Sequence, residues 1–258
     1  MWGKSRMGVI KNILKGTKIF REKNGIQFRS ISERTTPFTY KEAFKDLRTN
    51  IEYITSVNNI KSLLITSAIP EESKSTVTIN LAVSLVETKH SVVVVECDLR
   101  KPILAKYLKV DTRGCGLSEI LLGKAKLADC IKGIDELGIS IIPAGASVSN
   151  PSELLNQEKM KRLITYLSCK FDYVILDGPP VTVVTDATVV GRMVDGALLV
   201  VRSRYAPTKT IQLAKQKLEA VDIKVLGAVL TRYDAKRWGW RSGYDYATYE
   251  KDYSAKKR

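Results

Sequence analysis

The amino-acid sequence predicts an α/β fold in which a doubly wound, mainly parallel sheet is flanked by helices. From Lys61 onward, short apolar runs rich in β-branched residues alternate with stretches of helical periodicity. This alternation is typical of parallel sheets, whose strands are apolar throughout because helices cover both faces. Turn residues bound each run, as they bound buried strands. The predicted strands are Ser62–Thr66, Ser91–Val95, Ile139–Pro143, Asp172–Leu176, Ala197–Val201 and Val225–Leu230.

Length and composition fit one large domain with tails. The chain has 258 residues, of which 44% are hydrophobic, and this is enough for a sizeable core. The formal net charge of +15 indicates an acidic partner, and nucleic acid, an anionic membrane surface and polyphosphate would all satisfy it. His90 is the only histidine, which excludes a Ser-His-Asp triad and a histidine-based metal site.

The cysteines and the apolar runs indicate a cytoplasmic protein. The cysteines lie far apart without paired spacing, so we expect reduced thiols rather than a zinc site or a disulfide framework. No apolar run is long enough to span a bilayer, and the basic N-terminus is too interrupted to be a secretory signal. The cysteines are Cys97, Cys115, Cys130 and Cys169.

Residues 1–36 are predicted to form a basic, flexible leader. Ile10, Ile13 and Leu14 are spaced so that they can share one helix face, which would give a peripheral membrane contact. Several glycines weaken a helix here, so a solvated leader is the other interpretation. A clearer helix is predicted to begin near Thr39. Its apolar stripe consists of Phe44, Leu47, Ile51 and Ile54.

Residues 63–76 are predicted to contain a buried strand, a turn and the start of a helix. A helix N-terminus that points into such a turn binds anions, because its N–H groups are unpaired and its dipole is positive there. Lys74 and Ser75 supply the ammonium group and the hydroxyl that a phosphate-binding loop offers to phosphates and magnesium. The usual loop glycines are absent, because Ala68 and Ser73 stand in their places. On this stretch alone, an ordinary strand-to-helix turn stays open.

Carboxylates follow two of the predicted strands. Asp98 comes shortly after the valine run 92–95, and Asp177 ends another apolar run. Ligands of open α/β sheets lie outside the carboxyl ends of the strands. We therefore predict a magnesium site in which Ser75 binds the ion directly, Asp177 binds it directly or through water, and Asp98 lies near the transferred phosphate. The alternative is that both carboxylates cap turns, but their combination with Lys74 favours a nucleotide site.

At these residues the sequence resembles the bacterial tyrosine autokinases of capsule and exopolysaccharide production, from about Thr39 to the C-terminus. That family has a Glu-x-x-Arg-x-x-Arg helix, a Pro-Gly-Glu-Gly-Lys-Ser-Thr loop, strands that end Asp-x-Asp-x-Arg-Lys-Pro and Asp-x-Pro-Pro, and a tyrosine-rich tail. Matches in this order make the resemblance specific. The matching residues are Glu42, Lys45 and Arg48; Ser67, Pro70, Glu72, Lys74, Ser75 and Thr76; Glu96, Asp98, Arg100, Lys101 and Pro102; and Asp177, Gly178, Pro179 and Pro180.

The resemblance implies a P-loop NTPase fold of the partitioning-ATPase-like superfamily, with a kinase domain at 37–232 and a tyrosine-rich tail at 233–258. It implies a protein-tyrosine kinase that uses ATP and Mg²⁺, phosphorylates its own tail in trans, and regulates capsular or exopolysaccharide synthesis and export. Lys74, Asp98 and Arg100 are the expected catalytic residues, with Asp98 accepting the tyrosine proton and Arg100 steadying the phosphates. The implied nucleotide contacts are Pro70, Glu72, Ser73, Lys74, Ser75 and Thr76; the implied metal ligands are Ser75, Asp98 and Asp177; and the implied phosphate acceptors are Tyr244, Tyr246, Tyr249 and Tyr253.

The same resemblance implies how the chain assembles and where it acts. Family members of this short type form ring-like homo-oligomers and are activated by a separate membrane protein. We therefore expect a cytoplasmic protein, peripheral to the inner face of the cell membrane, with no nucleic-acid partner. The helix bearing Glu42, Lys45 and Arg48 is the expected subunit contact. Lysine at position 45 keeps the charge of the family arginine but loses its bidentate geometry.

Two departures from the family pattern bear on catalysis. Glu71 and Ser73 replace the loop glycines, and a non-glycine residue at positive φ costs about 1–2 kcal/mol. Nucleotide binding is therefore expected to weaken by about one to two orders of magnitude. One alternative is a non-catalytic regulator that retains the kinase fold. Another is a partitioning or cell-division ATPase, which the sequence disfavours because those enzymes carry an additional loop lysine and lack the tyrosine tail.

Overall fold

The computed structural model describes residues 28–112 and 115–233, together with the backbone of three short strands before them. The strands are Ile13–Lys15 (β1), Arg21–Glu22 (β2), Gly25–Ile26 (β3), Ser62–Ser67 (β4), Val92–Glu96 (β5), Lys132–Ile134 (β6), Ile139–Ile142 (β7), Tyr173–Asp177 (β8), Gly196–Arg202 (β9) and Val225–Tyr233 (β10). The helices are Phe38–Asn58 (α1), Lys74–Val86 (α2), Leu104–Leu108 (α3), Leu117–Leu122 (α4), Leu127–Cys130 (α5), Pro151–Leu155 (α6), Glu158–Lys170 (α7), Asp186–Gly191 (α8) and Thr208–Glu219 (α9).

One eight-stranded sheet organises the chain, in the order β1-β10-β9-β4-β8-β5-β7-β6. Every neighbouring pair in it is parallel except β6 and β7, which are antiparallel. The predicted doubly wound, mainly parallel sheet is thereby confirmed, and each predicted strand is present as β4, β5, β7, β8, β9 or β10. The two edge strands are missing from the prediction. β1 lies in the predicted leader, and the three residues of β6 are partly or fully exposed and form no apolar run.

The central strands are apolar at every position because both of their faces are covered. Leu63 and Ile65 of β4 face the core layer beneath α1 and α2, whereas Leu64 between them faces the layer beneath α7, α8 and α9. The alternation follows from the two-residue repeat of a strand. All of β4, β5 and β8 is buried, so the middle of the sheet presents only its strand ends to a ligand.

Helix α1 confirms the predicted amphipathic helix. Phe44, Leu47 and Ile51 are fully buried, and Ile54 packs at the edge of the same core layer. The helix ends where Asn59 adopts a left-handed conformation with φ of 52°, and its N–H donates to the Thr55 carbonyl oxygen. Within the described residues, no helix is both long and apolar enough to cross a bilayer.

The charged side of α1 differs from the prediction. Glu42 and Lys45 form an exposed ion pair within the helix, with Nζ and Oε1 2.7 Å apart. Arg48 instead reaches the last turns of α2, where Nη1 donates to the Ser84 carbonyl oxygen at 2.6 Å and to Glu87 Oε2 at 3.1 Å. A cation near a helix C-terminus is stabilised by the helix dipole and by the unpaired carbonyl groups there. Arg48 therefore joins two helices of one chain, and the subunit contact expected of Glu42, Lys45 and Arg48 stays a prediction.

The part of the leader next to α1 packs onto the domain. Ile31 is buried, and its N–H donates to Asn80 Oδ1 of α2 at 2.8 Å. Phe28 stacks on Tyr107 with ring centroids 5.5 Å apart. Residues 28–36 thus share the core layer of α1 and α2. Ile13 and Leu14 belong to the strand β1, so the helix face proposed for Ile10, Ile13 and Leu14 is not formed. Their side chains lie outside the described residues, and a membrane contact of the basic N-terminus stays a prediction.

One local expectation is wrong. Cys115 and Cys130 form a disulfide, although their spacing did not suggest one, because the fold brings the segment before α4 against the end of α5. Cys97 and Cys169 are free thiols, as expected.

Replacing Arg48 with alanine tests its role in joining α1 and α2. We expect Arg48→Ala to lower the free energy of unfolding by about 1–3 kcal/mol, because a half-buried guanidinium loses bonds to a carbonyl and a carboxylate. Lys45→Ala is the matched control, and its exposed ion pair predicts a loss below about 0.5 kcal/mol. Urea unfolding of the three proteins measures both values. Equal losses in the two variants would contradict the assignment.

Candidate active site at the carboxyl edge of the sheet

The loop between β4 and α2 has the backbone of a phosphate-binding loop. Glu71 has φ of 63° and Ser73 has φ of 71°, so both residues are left-handed where the family pattern has glycine. The conformation is retained although the residues that adopt it without strain are absent. At about 1–2 kcal/mol for each such residue, the loop stores strain that surrounding contacts must hold.

Glu72 supplies those contacts. Its carboxylate is fully buried and accepts the Ile69 N–H at 2.9 Å and the Arg202 N–H at 3.1 Å. The Thr231 hydroxyl donates to the Glu72 carbonyl oxygen at 3.0 Å. These bonds tie the loop to itself and to the ends of β9 and β10. The Glu72 side chain therefore braces the loop, and this differs from the expected ligand contact.

Lys74 begins α2 and forms an ion pair with Asp98, with Nζ and Oδ2 3.0 Å apart. Both side chains are nearly buried, and the other Asp98 oxygen accepts the Lys101 N–H at 3.0 Å. Burial acts to lower the pKa of Lys74, but the charges of Asp177 and Asp98 outweigh it and raise the pKa. The ammonium group is therefore fully charged where a phosphate would need it.

Asp177 lies at the end of β8, between the ends of β4 and β5, and is fully buried. The Ser75 hydroxyl donates to Oδ2 at 2.6 Å, and the Thr78 hydroxyl donates to Oδ1 at 3.0 Å. Burial raises the pKa of Asp177, against the opposing charge of Lys74 and these two hydrogen bonds. Thr78 was not anticipated, although its position one turn after Lys74 places it on the same side of α2.

Glu96 stands where the family pattern has aspartate, and its carboxylate bonds backbone groups of the fold. Its Oε1 accepts the N–H groups of Ile103 and Leu104 at the start of α3, and its Oε2 accepts the Ala144 N–H at 3.3 Å. Burial raises its pKa to about 6. Because the folded-state pKa lies above the ordinary value, this carboxyl favours the folded state less as pH rises through about 4.5 to 6.

Arg100 does not join the Lys74 group. Its Nε donates to Asp186 Oδ2 at 2.7 Å and its Nη2 donates to Oδ1 at 3.0 Å, which is a bidentate pair with a buried carboxylate of α8. The Ser152 hydroxyl bonds the same carboxylate. Arg100 thus links the end of β5 to α6 and α8, and its expected contact with phosphates stays a prediction. Asp186 was missed because nothing in the sequence pairs it with a residue 86 positions earlier.

The donor atoms at this edge fit Mg²⁺. The hydroxyl of Ser75 and the carboxylates of Asp177 and Asp98 are hard oxygen donors, and Mg²⁺ commonly takes one or two protein ligands together with phosphate oxygens and water. Among the residues that the structure describes, no cluster of three or more His, Cys, Asp or Glu forms a metal site by itself. A magnesium ion here would therefore depend on a phosphate-bearing ligand, which the positive end of α2 also favours.

Most of the predicted site residues are brought together. Lys74, Ser75, Asp98 and Asp177 meet at one edge of the sheet, and Pro70 lies exposed in the loop. The four tail tyrosines Tyr244, Tyr246, Tyr249 and Tyr253 lie outside the described residues. Residues that the prediction missed are Thr78, Asp186, Arg202, Tyr205 and Arg232.

Ser73→Gly isolates the strain in the loop. Glycine adopts positive φ freely, so we expect the free energy of unfolding to rise by up to about 1 kcal/mol after the larger entropy of the unfolded glycine is subtracted. Ser73→Ala is the matched control, because it keeps the Cβ atom and the serine side chain makes no capping hydrogen bond. Thermal and urea unfolding give the comparison. A gain in the alanine variant, or none in the glycine variant, would show that Ser73 is not strained.

Known proteins share this fold and this loop. A family model described as an AAA domain matches residues 72–224. The solved kinase domain of Escherichia coli tyrosine kinase ETK superposes with a TM-score of 0.77 at 30% identity, covering 92% of this chain and 95% of that domain. The septum site-determining protein MinD of Pyrococcus horikoshii, solved with Mg-ADP, gives a TM-score of 0.59 at 28% identity over 67% of this chain and 70% of that one.

The sequence relatives agree with the structural ones. Tyrosine-protein kinase wzc of Salmonella typhimurium is 31% identical over 98% of this chain, which spans 34% of that longer protein. Tyrosine-protein kinase YwqD of Bacillus subtilis is 32% identical over 219 residues, which are 84% of this chain and 91% of that protein. Since nearly the whole of a relative is matched at this identity, and the matched region contains the loop and both acidic strand ends, the chain belongs to the family of bacterial tyrosine-protein kinases.

Proposed function

We propose that the chain is an ATP-dependent protein-tyrosine kinase that phosphorylates its own tail and regulates capsular or exopolysaccharide synthesis and export. The observation that carries the proposal is the meeting of Lys74, Asp98, Ser75 and Asp177 beside a loop whose backbone is that of a phosphate-binding loop. The Lys74 ammonium group, the Ser75 hydroxyl and the carboxylates of Asp98 and Asp177 are all present there, although the loop glycines are replaced.

The proposed nucleotide-binding step uses the start of α2. The backbone N–H groups from Ser73 to Thr76 and the positive helix end would hold the β- and γ-phosphates, and Lys74 would neutralise them. In the ligand-free protein Asp98 neutralises Lys74. Binding of ATP would exchange this carboxylate for phosphate and release Asp98 Oδ2. Ser75 and Asp177 would hold magnesium, which supplies positive charge to the phosphate oxygens.

The proposed transfer step uses Asp98. The hydroxyl oxygen of an acceptor tyrosine attacks the γ-phosphorus, the bond from that phosphorus to the β–γ bridging oxygen breaks, and ADP leaves. The tyrosine proton passes to the freed Asp98 carboxylate. Phosphotyrosine and ADP are the products, and one proton is later released to solvent. Arg100 is left out of this step, because its guanidinium is paired with Asp186.

The tail tyrosines are the proposed phosphate acceptors, and other subunits and a membrane protein are the proposed partners. The tail tyrosines alternate with acidic residues, and each phosphate would add about −1.5 to −2 charge at pH 7. We propose that tails are phosphorylated between subunits of a ring-like homo-oligomer, in contact with a membrane-bound activator of polysaccharide export. The exposed ion pair of Glu42 and Lys45 supports a subunit contact on α1. Arg48 supports this contact indirectly, because it holds α1 against α2.

The non-catalytic alternative rests on one observation, the left-handed backbone at Glu71 and Ser73. If the strain lowers affinity, restoring both glycines should make magnesium-ATP bind at least about tenfold tighter, because relief of about 1–2 kcal/mol corresponds to about a factor of ten. Adding Lys74→Ala should abolish the gain, since the main counter-charge is lost. Calorimetric titration of wild type, Glu71→Gly/Ser73→Gly and the triple variant measures this. Flat titrations of all three folded proteins would support the regulator and exclude the kinase.

Mass spectrometry tests the proposed acceptors. After co-expression with the membrane activator, we expect phosphate on at least one of Tyr244, Tyr246, Tyr249 and Tyr253. Tyr166, which is 51% exposed on the folded domain, is the matched control and should stay unmodified. The Lys74→Ala protein should carry no phosphate at any of these positions. Turnover of ATP with an unmodified tail would show that the acceptors lie elsewhere.

A further inference from the structure

A cluster of cationic and aromatic side chains surrounds Glu71 beside the phosphate loop. The Tyr205 hydroxyl donates to Glu71 Oε2 at 3.3 Å, and Arg202 Nη1 donates to the Glu71 carbonyl oxygen at 3.4 Å. The Arg202 guanidinium lies 4.2 Å from the centroid of the Tyr205 ring, a cation–π contact. These side chains come from the end of β9 and the turn that follows it, at the same edge of the sheet as Lys74.

Arg232 of β10 lies beside the cluster, because its neighbour Thr231 pairs with Arg202 in the sheet. Its backbone is left-handed, with φ of 52°. Its Nε is buried and has no hydrogen-bond partner within the described part of the chain. Burial and the charge of Arg202 lower the pKa of Arg232, whereas the charge of Glu71 raises it. Strain, an unpaired donor and a like-charged neighbour together are the features of a site built for an anion.

Glu71 is not required to hold the loop in shape. Glu72 already braces it through two backbone N–H groups and the Thr231 hydroxyl. The Glu71 side chain is exposed, and its bond to Tyr205 is long. The Glu71 carboxylate therefore contributes little to the structure of the loop. Its main effect is electrostatic, because it places a negative charge beside the N-terminus of α2, where the phosphates of a nucleotide would lie.

We infer that Arg202, Tyr205 and Arg232 form a second anion subsite beside the nucleotide site, that the Glu71 carboxylate competes for it through its bond to Tyr205, and that a nucleoside triphosphate displaces Glu71 when it binds. This inference rests on the proposed function, since the displacing ligand is the nucleotide. Glu71 then sets the affinity of the loop by competition, separately from the backbone strain it shares with Ser73.

Glu71→Gln isolates the competition, because glutamine keeps the size and the strained backbone and removes only the charge. An exposed contact of this kind contributes at most about 1 kcal/mol, so magnesium-ATP should bind up to about fivefold tighter. Glu219→Gln makes the same change of net charge at the far end of α9 and should leave the affinity unchanged.

Arg232→Gln tests the subsite from the other side. Loss of a guanidinium that pairs with bound anion should weaken magnesium-ATP about tenfold. Calorimetry on the full chain, with melting temperatures as the check on folding, measures all the variants. If wild type binds ATP in a Lys74-dependent way and Glu71→Gln binds with equal affinity, the competition is excluded while the kinase stands. If no variant binds ATP, the proposed function fails and this inference fails with it.

Discussion

The buried carboxylate of Asp177 is the interaction on which the rest of the site depends. It lies at the centre of the sheet, accepts hydroxyl groups from Ser75 and Thr78, and so fixes α2 against the end of β8. Its backbone carbonyl also accepts the N–H groups of Cys97 and Asp98, which holds the end of β5 beside it. A carboxylate removed from water is unfavourable unless it is bonded on both oxygens, and here it is. The hydrogen bonds from Ser75 and Thr78 offset the cost of burying this carboxylate, and both residues belong to the helix that follows the phosphate loop.

The sequence predicts the sheet well because the information for it is local. Six β-branched runs identify six of the seven parallel strands, and the register of β4, β5 and β8 then brings Ser75, Asp98 and Asp177 to one edge. The left-handed backbone at Glu71 and Ser73 was also predictable, since glycine positions in a loop motif specify a conformation. These features depend on a residue and its near neighbours.

What the sequence could not predict depends on partners far away in the chain. Arg48, predicted to contact a neighbouring subunit, bonds Ser84 of the same chain. Arg100, predicted to contact phosphates, bonds Asp186 of the same chain. The Cys115–Cys130 disulfide likewise follows from how α4 and α5 pack. Long, flexible cations can reach several acceptors, so a motif specifies their charge and not the group that they will contact.

The bond from Arg48 to the end of α2 has a mechanical consequence. Lys74 begins this helix and Ser84 lies ten residues later, which is about 15 Å along a rigid rod. Helix α1 holds this end of α2 through the Arg48 guanidinium and through the bond from the Ser84 hydroxyl to the Phe44 carbonyl oxygen, and the phosphate loop lies at the other end. A displacement of α1 would therefore act on the helix that begins at Lys74, from a surface far from the loop.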